Sequence, residues 1–355
     1  MGHTFHALQG ENSAFAVALK DYFPAWSRVQ VESRWLPTLT ALFPRALLRF
    51  LADHAPWADV RRLAQISDTL YAVTKEIWEA KKARTDADTL GEESDEGRDL
   101  MSILLKANDA ANEEDRLPDD ELLAQMSTFL FAGTDTTSSA LARILHMLCL
   151  HPDAQEELRE ELVAAGGAHG ALDYDALHGL SYLDAVCRET LRLFPPVSVV
   201  QRIAQTDTLL PLSAPILGTD NRPHTTLAIP NRTGFVLNVL GVNRDPDIWG
   251  DDADEWKPER WRTGPLPESV GRARVPGVYA NQMTFISGPR ACIGFQFALL
   301  EMKIVLAQLI PPFRFFLPTQ KDIIWRCGAI VTPVVAGAEG EEREKPAMPL
   351  RVSLA

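Results

Sequence analysis

One helical pattern dominates the sequence, from about Asp119 to Leu150. Pro118 and two aspartates stand at its start, where carboxylates can accept hydrogen bonds from the free amides of a first turn. Two mostly apolar stretches, LLAQMSTFLF and ALARILHMLCL, follow within it. This span is much longer than the usual helix of a globular protein. We therefore expect a mainly α-helical chain that contains one long helix.

The β-prone part of the sequence is small. Between Gln205 and Val242, runs such as LAIP and GFVLNVL alternate with Pro, Asn, Asp and Gly, which indicates a small sheet with tight turns. A Gly- and Pro-rich meander follows from Thr263 to Gln282. The other helical predictions are 11–21, 47–53, 59–82, 99–108, 152–165, 181–194 and 295–310, and extended segments are expected at 322–335 and 350–355.

Composition and charge exclude several classes of protein. Hydrophobic residues make up 46% of the chain and charged residues 23%, as in a soluble globular protein. The net charge of -13 argues against a nucleic-acid-binding protein, which needs Lys and Arg clustered on one face. The cysteines are widely spaced without a C-x-x-C pair, so neither a zinc module nor a disulfide framework is indicated. No apolar run has the length of a bilayer span, so we expect no transmembrane segment in this chain.

An unusually apolar connection, LPTLTALFPRALL at 36–48, lies between the first two helical patterns. Exposed apolar patches often mark interfaces, so a membrane-contacting surface is one interpretation. We favour the other interpretation, which is a loop packed against the rest of the protein.

Cys292 lies in the segment FISGPRACIGFQFALLEMKI, where a loop with Gly288 and Gly294 leads into an apolar helix. The free amides and the dipole of a helix N-terminus favour a thiolate, and Arg290 adds positive charge. A lone cysteine is more often a small buried hydrophobic residue, but the Gly-rich loop argues against that here. Such a thiolate could be a nucleophile, a redox thiol or a metal ligand, and this segment alone does not distinguish them.

The run AGTDTT at 132–137 interrupts the middle of the long helix. Thr and Asp side chains compete for backbone hydrogen bonds, so the run is poor helix material. A surface-facing polar turn is one explanation, but apolar residues on both sides indicate a largely buried helix. We therefore expect a local opening of the helix, with Asp135 and Thr136 relaying protons.

Glu189 and Arg192 stand three residues apart in a helical pattern and so share one face. An isolated E-x-x-R is most often a solvated helical pair that contributes little stability. The segment WKPERW at 256–261 lies downstream of this pair and contains Arg260.

Together these motifs resemble those of the cytochrome P450 family, in the same order and over nearly the whole chain. The residues that resemble the haem-binding loop are Phe285, Gly288, Arg290, Cys292 and Gly294. The AGTDTT run resembles the oxygen-activation motif, in which Asp135 and Thr136 would relay protons to dioxygen. The E-x-x-R and PER segments resemble the family's buried Glu-Arg-Arg network of Glu189, Arg192 and Arg260, which would fix the meander beneath the haem.

The resemblance implies a cytochrome P450-like fold that is mainly α with a small β portion. It also implies haem b, iron protoporphyrin IX, with the Cys292 thiolate as the axial ligand. Arg202 and Arg290 match positions that pair with haem propionates. Positions that match substrate contacts are small or apolar, which suggests a lipophilic substrate; they are Ala132, Gly133, Val197, Val200 and Ile330.

The activity implied is that of a monooxygenase that inserts one oxygen atom from O2 into a lipophilic small molecule. The electrons would come from NADPH-cytochrome P450 reductase, as in microsomal, fungal-like members at the cytosolic face of the endoplasmic reticulum membrane. Members carry a sizeable N-terminal portion that we do not find in this sequence, so we expect 1–355 to be a single, N-terminally incomplete domain. Two alternatives stay open: a haem-thiolate isomerase or dehydratase, against which the Asp135-Thr136 pair argues, and a non-catalytic remnant that binds no haem.

Overall fold

A computed structural model of the chain describes residues 13–29, 31–87, 99–166, 172–338 and 345–355. The chain divides into two compact units. Unit 1 comprises Met1–Ser138 and Pro318–Pro349, and unit 2 comprises Ser139–Leu317 and Leu350–Ala355. Helices dominate the described residues, and the strands form small two-stranded sheets, which confirms the predicted mainly α fold with a small β portion.

The N-terminal half of the described chain is helical. Its helices are α1 (Ala14–Arg28), α2 (Leu36–Leu42), α3 (Arg45–Asp53), α4 (Ala58–Ala87), α5 (Leu100–Asp109), α6 (Asp119–Leu150), α7 (Pro152–Ala164), α8 (Tyr174–Gly179) and α9 (Ser181–Leu193). The long helix α6 is shared between the two units, because the first segment of unit 1 ends at Ser138, within the helix.

Strands enter the chain after α9. The remaining elements are β1 (Val199–Ile203), β2 (Thr208–Leu217), β3 (Pro223–Ile229), β4 (Gly234–Asn238), α10 (Val239–Asn243), α11 (Pro246–Trp249), α12 (Glu268–Ala273), α13 (Phe295–Leu309), β5 (Phe313–Phe316), β6 (Ile323–Arg326), β7 (Thr332–Val335) and β8 (Arg351–Leu354). Two short 3-10 turns, Pro258–Trp261 and Gly288–Arg290, lie between α11 and α13.

The strands pair antiparallel as β1 with β4, β2 with β3, β5 with β8 and β6 with β7. In the first sheet, Val199 lies opposite Asn238 and Arg202 lies opposite Phe235. The sheet therefore carries two of the predicted site residues, Val200 and Arg202, on strand β1.

Helices α1 and α4 form a pair in unit 1. The Ser13 hydroxyl caps α1 by accepting a hydrogen bond from the Ala16 amide at 3.1 Å. Small side chains let the two helices approach, and Ala18 and Ala25 of α1 form a buried cluster with Ile66 of α4. Apolar packing and a helix cap together account for this pair.

The core of unit 2 surrounds α9, nearly all of whose residues are buried. Side chains from the second part of α6, from α7, from α9 and from α13 share one apolar cluster, which includes Ile144, Leu158, Leu183 and Leu306. These four side chains are fully excluded from solvent. The core therefore fixes α13, and with it the end of the loop that precedes α13.

The apolar connection at 36–48 is not a packed loop, so that prediction was wrong. Helix α2 occupies most of it, with Pro37 in the first turn, where no amide donor is needed, and α3 follows. The Thr40 hydroxyl donates to the Leu36 carbonyl at 2.9 Å and leaves the helix intact. Leu42 is 69% exposed. Neither these helices nor any other described helix is long and apolar enough to cross a membrane.

Candidate functional site

The loop before α13 presents Cys292 to solvent. The Cys292 amide donates to the Phe285 carbonyl at 2.9 Å and closes the loop, and Gly294 forms the N-cap of α13. Gly288 has φ +70°, a backbone conformation that glycine adopts without steric cost. The local sequence thus places an exposed thiol two residues before the N-cap.

The same loop contains a strained residue, Ile286, with φ +59°. A β-branched side chain in the left-handed region is a genuine outlier and costs about 1–3 kcal/mol. Two backbone hydrogen bonds hold it there: its amide donates to the Met283 carbonyl at 2.9 Å, and its carbonyl accepts from the Val278 amide at 3.2 Å. The loop is therefore held in its conformation by its surroundings.

The chemistry around Cys292 suits a flat apolar ligand. Ile293 is 86% exposed and Phe297 is 63% exposed, although both are large apolar residues. A Cβ placed on Gly288 or Gly294 would meet nothing within 4 Å. No group of three metal-ligating side chains occurs among the described residues. A haem macrocycle brings four nitrogen ligands of its own to the iron, so a single protein thiolate beside exposed apolar side chains fits that group.

Glu189, Arg192 and Arg260 form one buried cluster between α9 and the 3-10 turn Pro258–Trp261. Glu189 accepts two hydrogen bonds from Arg192, at 3.0 Å and 2.8 Å, in a bidentate pair. Arg260 Nε donates to Glu189 Oε1 at 3.3 Å. The side chains of Glu189 and Arg192 are 0% exposed. Buried charges are tolerated only when paired and hydrogen-bonded, and here the pairing ties α9 to the turn.

Two residues that the sequence reasoning missed complete this cluster. Trp261 Nε1 donates to Glu189 Oε2 at 2.9 Å, and Asp252 Oδ1 accepts from Arg260 Nη1 at 2.7 Å. Burial opposes the charge on Arg260, but Asp252 and Glu189 outweigh it and leave the pKa of Arg260 raised. The Arg260 hydrogen bond lowers the pKa of Asp252 in turn. The signals were a Trp directly after Arg260 and an acid eight residues before it.

The two candidate propionate ligands lie in different elements of unit 2. Arg202 is half-buried on β1, and its Nη1 donates to the Gln201 carbonyl at 2.9 Å. Arg290 is exposed in the 3-10 turn of the Cys292 loop. Neither forms an ion pair with another described residue. Val197 and Val200, which are candidate substrate contacts, are half-buried where the chain enters β1.

Helix α6 continues unbroken through the AGTDTT run, so the predicted local opening is wrong. The Thr134 hydroxyl donates to the Leu130 carbonyl at 2.7 Å, and the Thr136 hydroxyl donates to the Ala132 carbonyl at 2.8 Å. Each threonine bonds back to a carbonyl four residues earlier, which satisfies the hydroxyl without displacing a backbone bond. These side chains therefore fit within a continuous helix.

Asp135 is half-buried on α6. Burial raises its pKa to about 6, and the charge of Lys20 on α1 opposes this rise only in part. A carboxyl group that titrates near neutral pH can both take up and release a proton under physiological conditions.

The remaining candidate substrate contacts belong to unit 1. Ala132 is exposed, and Gly133 is half-buried, with open space where a Cβ would stand. Ile330 is buried, at 5% exposure, in the turn between β6 and β7. The structure thus gathers the Cys292 loop and the Glu189 cluster in unit 2, whereas Asp135, Thr136 and these three residues lie in unit 1.

A mainly helical fold with an exposed thiol just before a helix and a buried Glu-Arg-Arg cluster is the arrangement expected of a haem-thiolate protein. The chain belongs to the cytochrome P450 family, because the sequence model of that family matches residues 29–333. That family is one of haem enzymes with a cysteine ligand.

Several fungal proteins resemble the chain over nearly its whole length. It is 46% identical to cytochrome P450 monooxygenase 91 and 45% identical to cytochrome P450 monooxygenase 81, both of Postia placenta, over 99% and 100% of its residues. It is 43% identical to the ganoderic acid synthetase of Ganoderma lucidum over 99% of its residues. The chain spans 64% of the length of the first two relatives and 65% of the third.

Proposed function

We propose that this chain is the haem-binding part of a monooxygenase that inserts one oxygen atom from O2 into a lipophilic small molecule. The observation that carries the proposal is the exposed Cys292 thiol, which lies in a Gly-rich loop just before α13 and is followed by the exposed apolar side chains of Ile293 and Phe297. Two of the relatives named above are cytochrome P450 monooxygenases, which supports the same reaction class.

Haem b, if held by the Cys292 thiolate, would supply an electron-rich iron that favours O–O cleavage. Other residues of the chain would help to hold it. Arg202 and Arg290 have guanidinium groups suited to bidentate pairing with propionates. Ile293 and Phe297, which are exposed, would offer apolar surface to the macrocycle.

Asp135 and Thr136 would handle the protons of the reaction, which consumes two electrons and two protons and releases one water. With its pKa raised to about 6, the Asp135 carboxyl holds a proton for part of the time at neutral pH. The Thr136 hydroxyl donates its proton in a hydrogen bond to the Ala132 carbonyl, so the lone pairs of its oxygen can accept a hydrogen bond.

The substrate class and the electron donor follow from the same proposal. Val197, Val200 and Ile330 offer apolar side chains, and Ala132 and Gly133 offer little bulk, which suits a lipophilic substrate. The electrons would come from NADPH-cytochrome P450 reductase, at the cytosolic face of the endoplasmic reticulum membrane. The fungal relatives support a eukaryotic redox partner of this kind.

The test is the absorption spectrum of the reduced, carbon-monoxide-bound protein. We expect a red-shifted thiolate band that disappears in Cys292→Ala and persists in Cys327→Ala, a matched change at another exposed cysteine. No haem uptake by the chain, or the same band in Cys292→Ala, would overturn the proposal. Incorporation of labelled O2 into product then separates a monooxygenase from an isomerase or dehydratase, which would show the band without consuming O2.

A further inference from the structure

Three polar residues lie where the chain enters the Cys292 loop, outside the Glu189 cluster. Gln282 and Thr284 come just before Phe285, and Asn243 ends α10. Asn243 and Gln282 are 0% exposed. Polar side chains so deeply buried must be hydrogen-bonded, so their partners show what they hold in place.

The partners of these residues show which of their atoms donate and which accept hydrogen bonds. Asn243 Oδ1 accepts from the Met283 amide at 2.7 Å, so its Nδ2 is the atom that donates to Thr284 Oγ1 at 2.8 Å. Because Thr284 accepts there, its own proton is directed to the Leu191 carbonyl at 2.8 Å or to Gln282 Oε1 at 2.9 Å. The side-chain amide of Asn243 therefore has one orientation, and Thr284 has an acceptor for its proton in either direction. A satisfied polar network of this kind stiffens the segment that carries it.

Both ends of this network reach α9, the helix of the Glu189 cluster. Gln282 Nε2 donates to the Arg188 carbonyl at 3.3 Å, and the Asn243 carbonyl accepts from Arg192 Nη1 at 2.8 Å. The Leu191 carbonyl lies in the last turn of α9, where carbonyls lack partners within the helix. The Glu-Arg pair is thus connected, through Asn243, to the segment that enters the Cys292 loop.

That segment leads directly to the loop closure. Thr284 is followed by Phe285, whose carbonyl accepts the hydrogen bond from the Cys292 amide at 2.9 Å. We propose that Asn243, Gln282 and Thr284 are positioning residues that hold this closure and so set the place of Cys292. As far as Cys292 acts as the iron ligand, this inference rests on the proposed function.

The test on the full chain without haem is hydrogen exchange of the segment 285–294. Thr284→Val keeps the shape of the side chain and removes the hydroxyl, and it should raise exchange at the Cys292 amide about tenfold, since a buried donor and acceptors lose their partner. Thr284→Ser, which restores a hydroxyl, should exchange as the wild type does. The matched control is Thr263→Val, at an exposed threonine that bonds only to the Glu259 carbonyl.

Two outcomes would overturn the inference. One is unchanged exchange at Cys292 in Thr284→Val, or an equal increase in Thr284→Ser, because the hydroxyl would then not matter. The other is a uniform increase over α9 and α13 as well, which would make Thr284 a determinant of global stability only. Gln282→Met provides a second variant: the Thr284 proton still has the Leu191 carbonyl, so its effect should have the same sign and be smaller.

A second measurement applies to the haem-loaded protein. Thr284→Val should convert part of the thiolate band of the reduced, carbon-monoxide-bound form to a blue-shifted band, and Thr284→Ser should restore it. If the wild-type chain takes up no haem, the proposed function fails for this chain while the exchange experiment still decides the positioning role. A full thiolate band in Thr284→Val, together with raised exchange, would contradict positioning of the ligand.

Discussion

The Glu189 cluster and the polar run of α6 both place charged or hydroxyl side chains inside helices, yet they are held in opposite ways. Glu189 takes its partners from α9 and from a turn about seventy residues later, and it is fully buried. Within the part of the chain that the structure describes, the Thr134 and Thr136 hydroxyls bond to carbonyls of their own helix. The first arrangement connects elements that are far apart in the chain, so its loss should destabilise the fold. The second involves one helix, so substitution of its threonines should hardly affect the fold and leaves them available for a role in proton transfer.

The largest effect should come from breaking the buried cluster. Arg192→Met removes the bidentate partner of Glu189 and leaves a charge buried with incomplete compensation, so the free energy of unfolding should fall by about 3–5 kcal/mol. Arg314→Met is the matched control, because Arg314 pairs with Glu156 at 3.1 Å while 45% exposed, and it should cost less than about 1 kcal/mol. Urea denaturation measures both. Equal losses would mean that burial does not distinguish the two ion pairs.

The next effect concerns the pH dependence of α6. The pKa of Asp135 rises to about 6 in the folded chain from 3.8. Below about pH 4 the Asp135 carboxyl is protonated in both the folded and the unfolded state, so it does not change the free energy of unfolding. As the pH rises towards 6, only the folded state retains the proton, so the free energy of unfolding falls. Partial exposure screens the charge, so we expect Asp135→Asn to gain about 1–2 kcal/mol above pH 6 and nothing below about pH 4.

Denaturation of Asp135→Asn and wild type across that pH range checks the prediction. Asp254→Asn is the matched control, at a carboxyl group that is 79% exposed. If the two variants gave the same pH profile, burial would not be the cause of the shifted pKa of Asp135.

Local patterns explain what the sequence could predict of this molecule. Helix α6 spans Asp119–Leu150, as predicted, because acids stand in its first turn and mostly apolar stretches follow, and both features are local. Glu189 and Arg192 share a helix face for the same reason. The AGTDTT opening was wrong because threonine hydroxyls can bond back to their own helix, a choice that propensity alone does not reveal.

Local patterns could not predict hydrogen bonds between residues that are far apart in the chain. Asn243 meets Thr284 and Arg192 only after α9, α10 and the loop pack together. Asp252 and Trp261 likewise join Glu189 and Arg260 through tertiary structure. The prediction for the connection at 36–48 was wrong because a short apolar run is equally compatible with a packed loop and with helices.

A smaller effect distinguishes the strained loop from the relaxed helix. Ile286→Asn places a residue that tolerates the left-handed region at φ +59°, so relief of strain should outweigh the lost apolar burial by about 1 kcal/mol. Ile293→Asn, at an 86% exposed position without a positive φ, should change the free energy of unfolding by less than about 0.5 kcal/mol. Thermal and urea unfolding would measure both, and destabilisation by Ile286→Asn would show that its side-chain packing exceeds its strain.

The smallest effect on stability belongs to Thr136. Thr136→Val removes a hydroxyl that bonds only to the Ala132 carbonyl of its own helix, so the free energy of unfolding should change by less than about 0.5 kcal/mol. In the haem-loaded enzyme with its reductase, however, the same variant should lose coupling of NADPH consumption to product, because the proton relay would lose its alcohol. Thr128→Val is the matched control, an exposed threonine on α6 with the same bond to the carbonyl four residues earlier, and it should retain coupling. Equal coupling in both variants would remove Thr136 from the proton relay and leave Asp135 as its only candidate on α6.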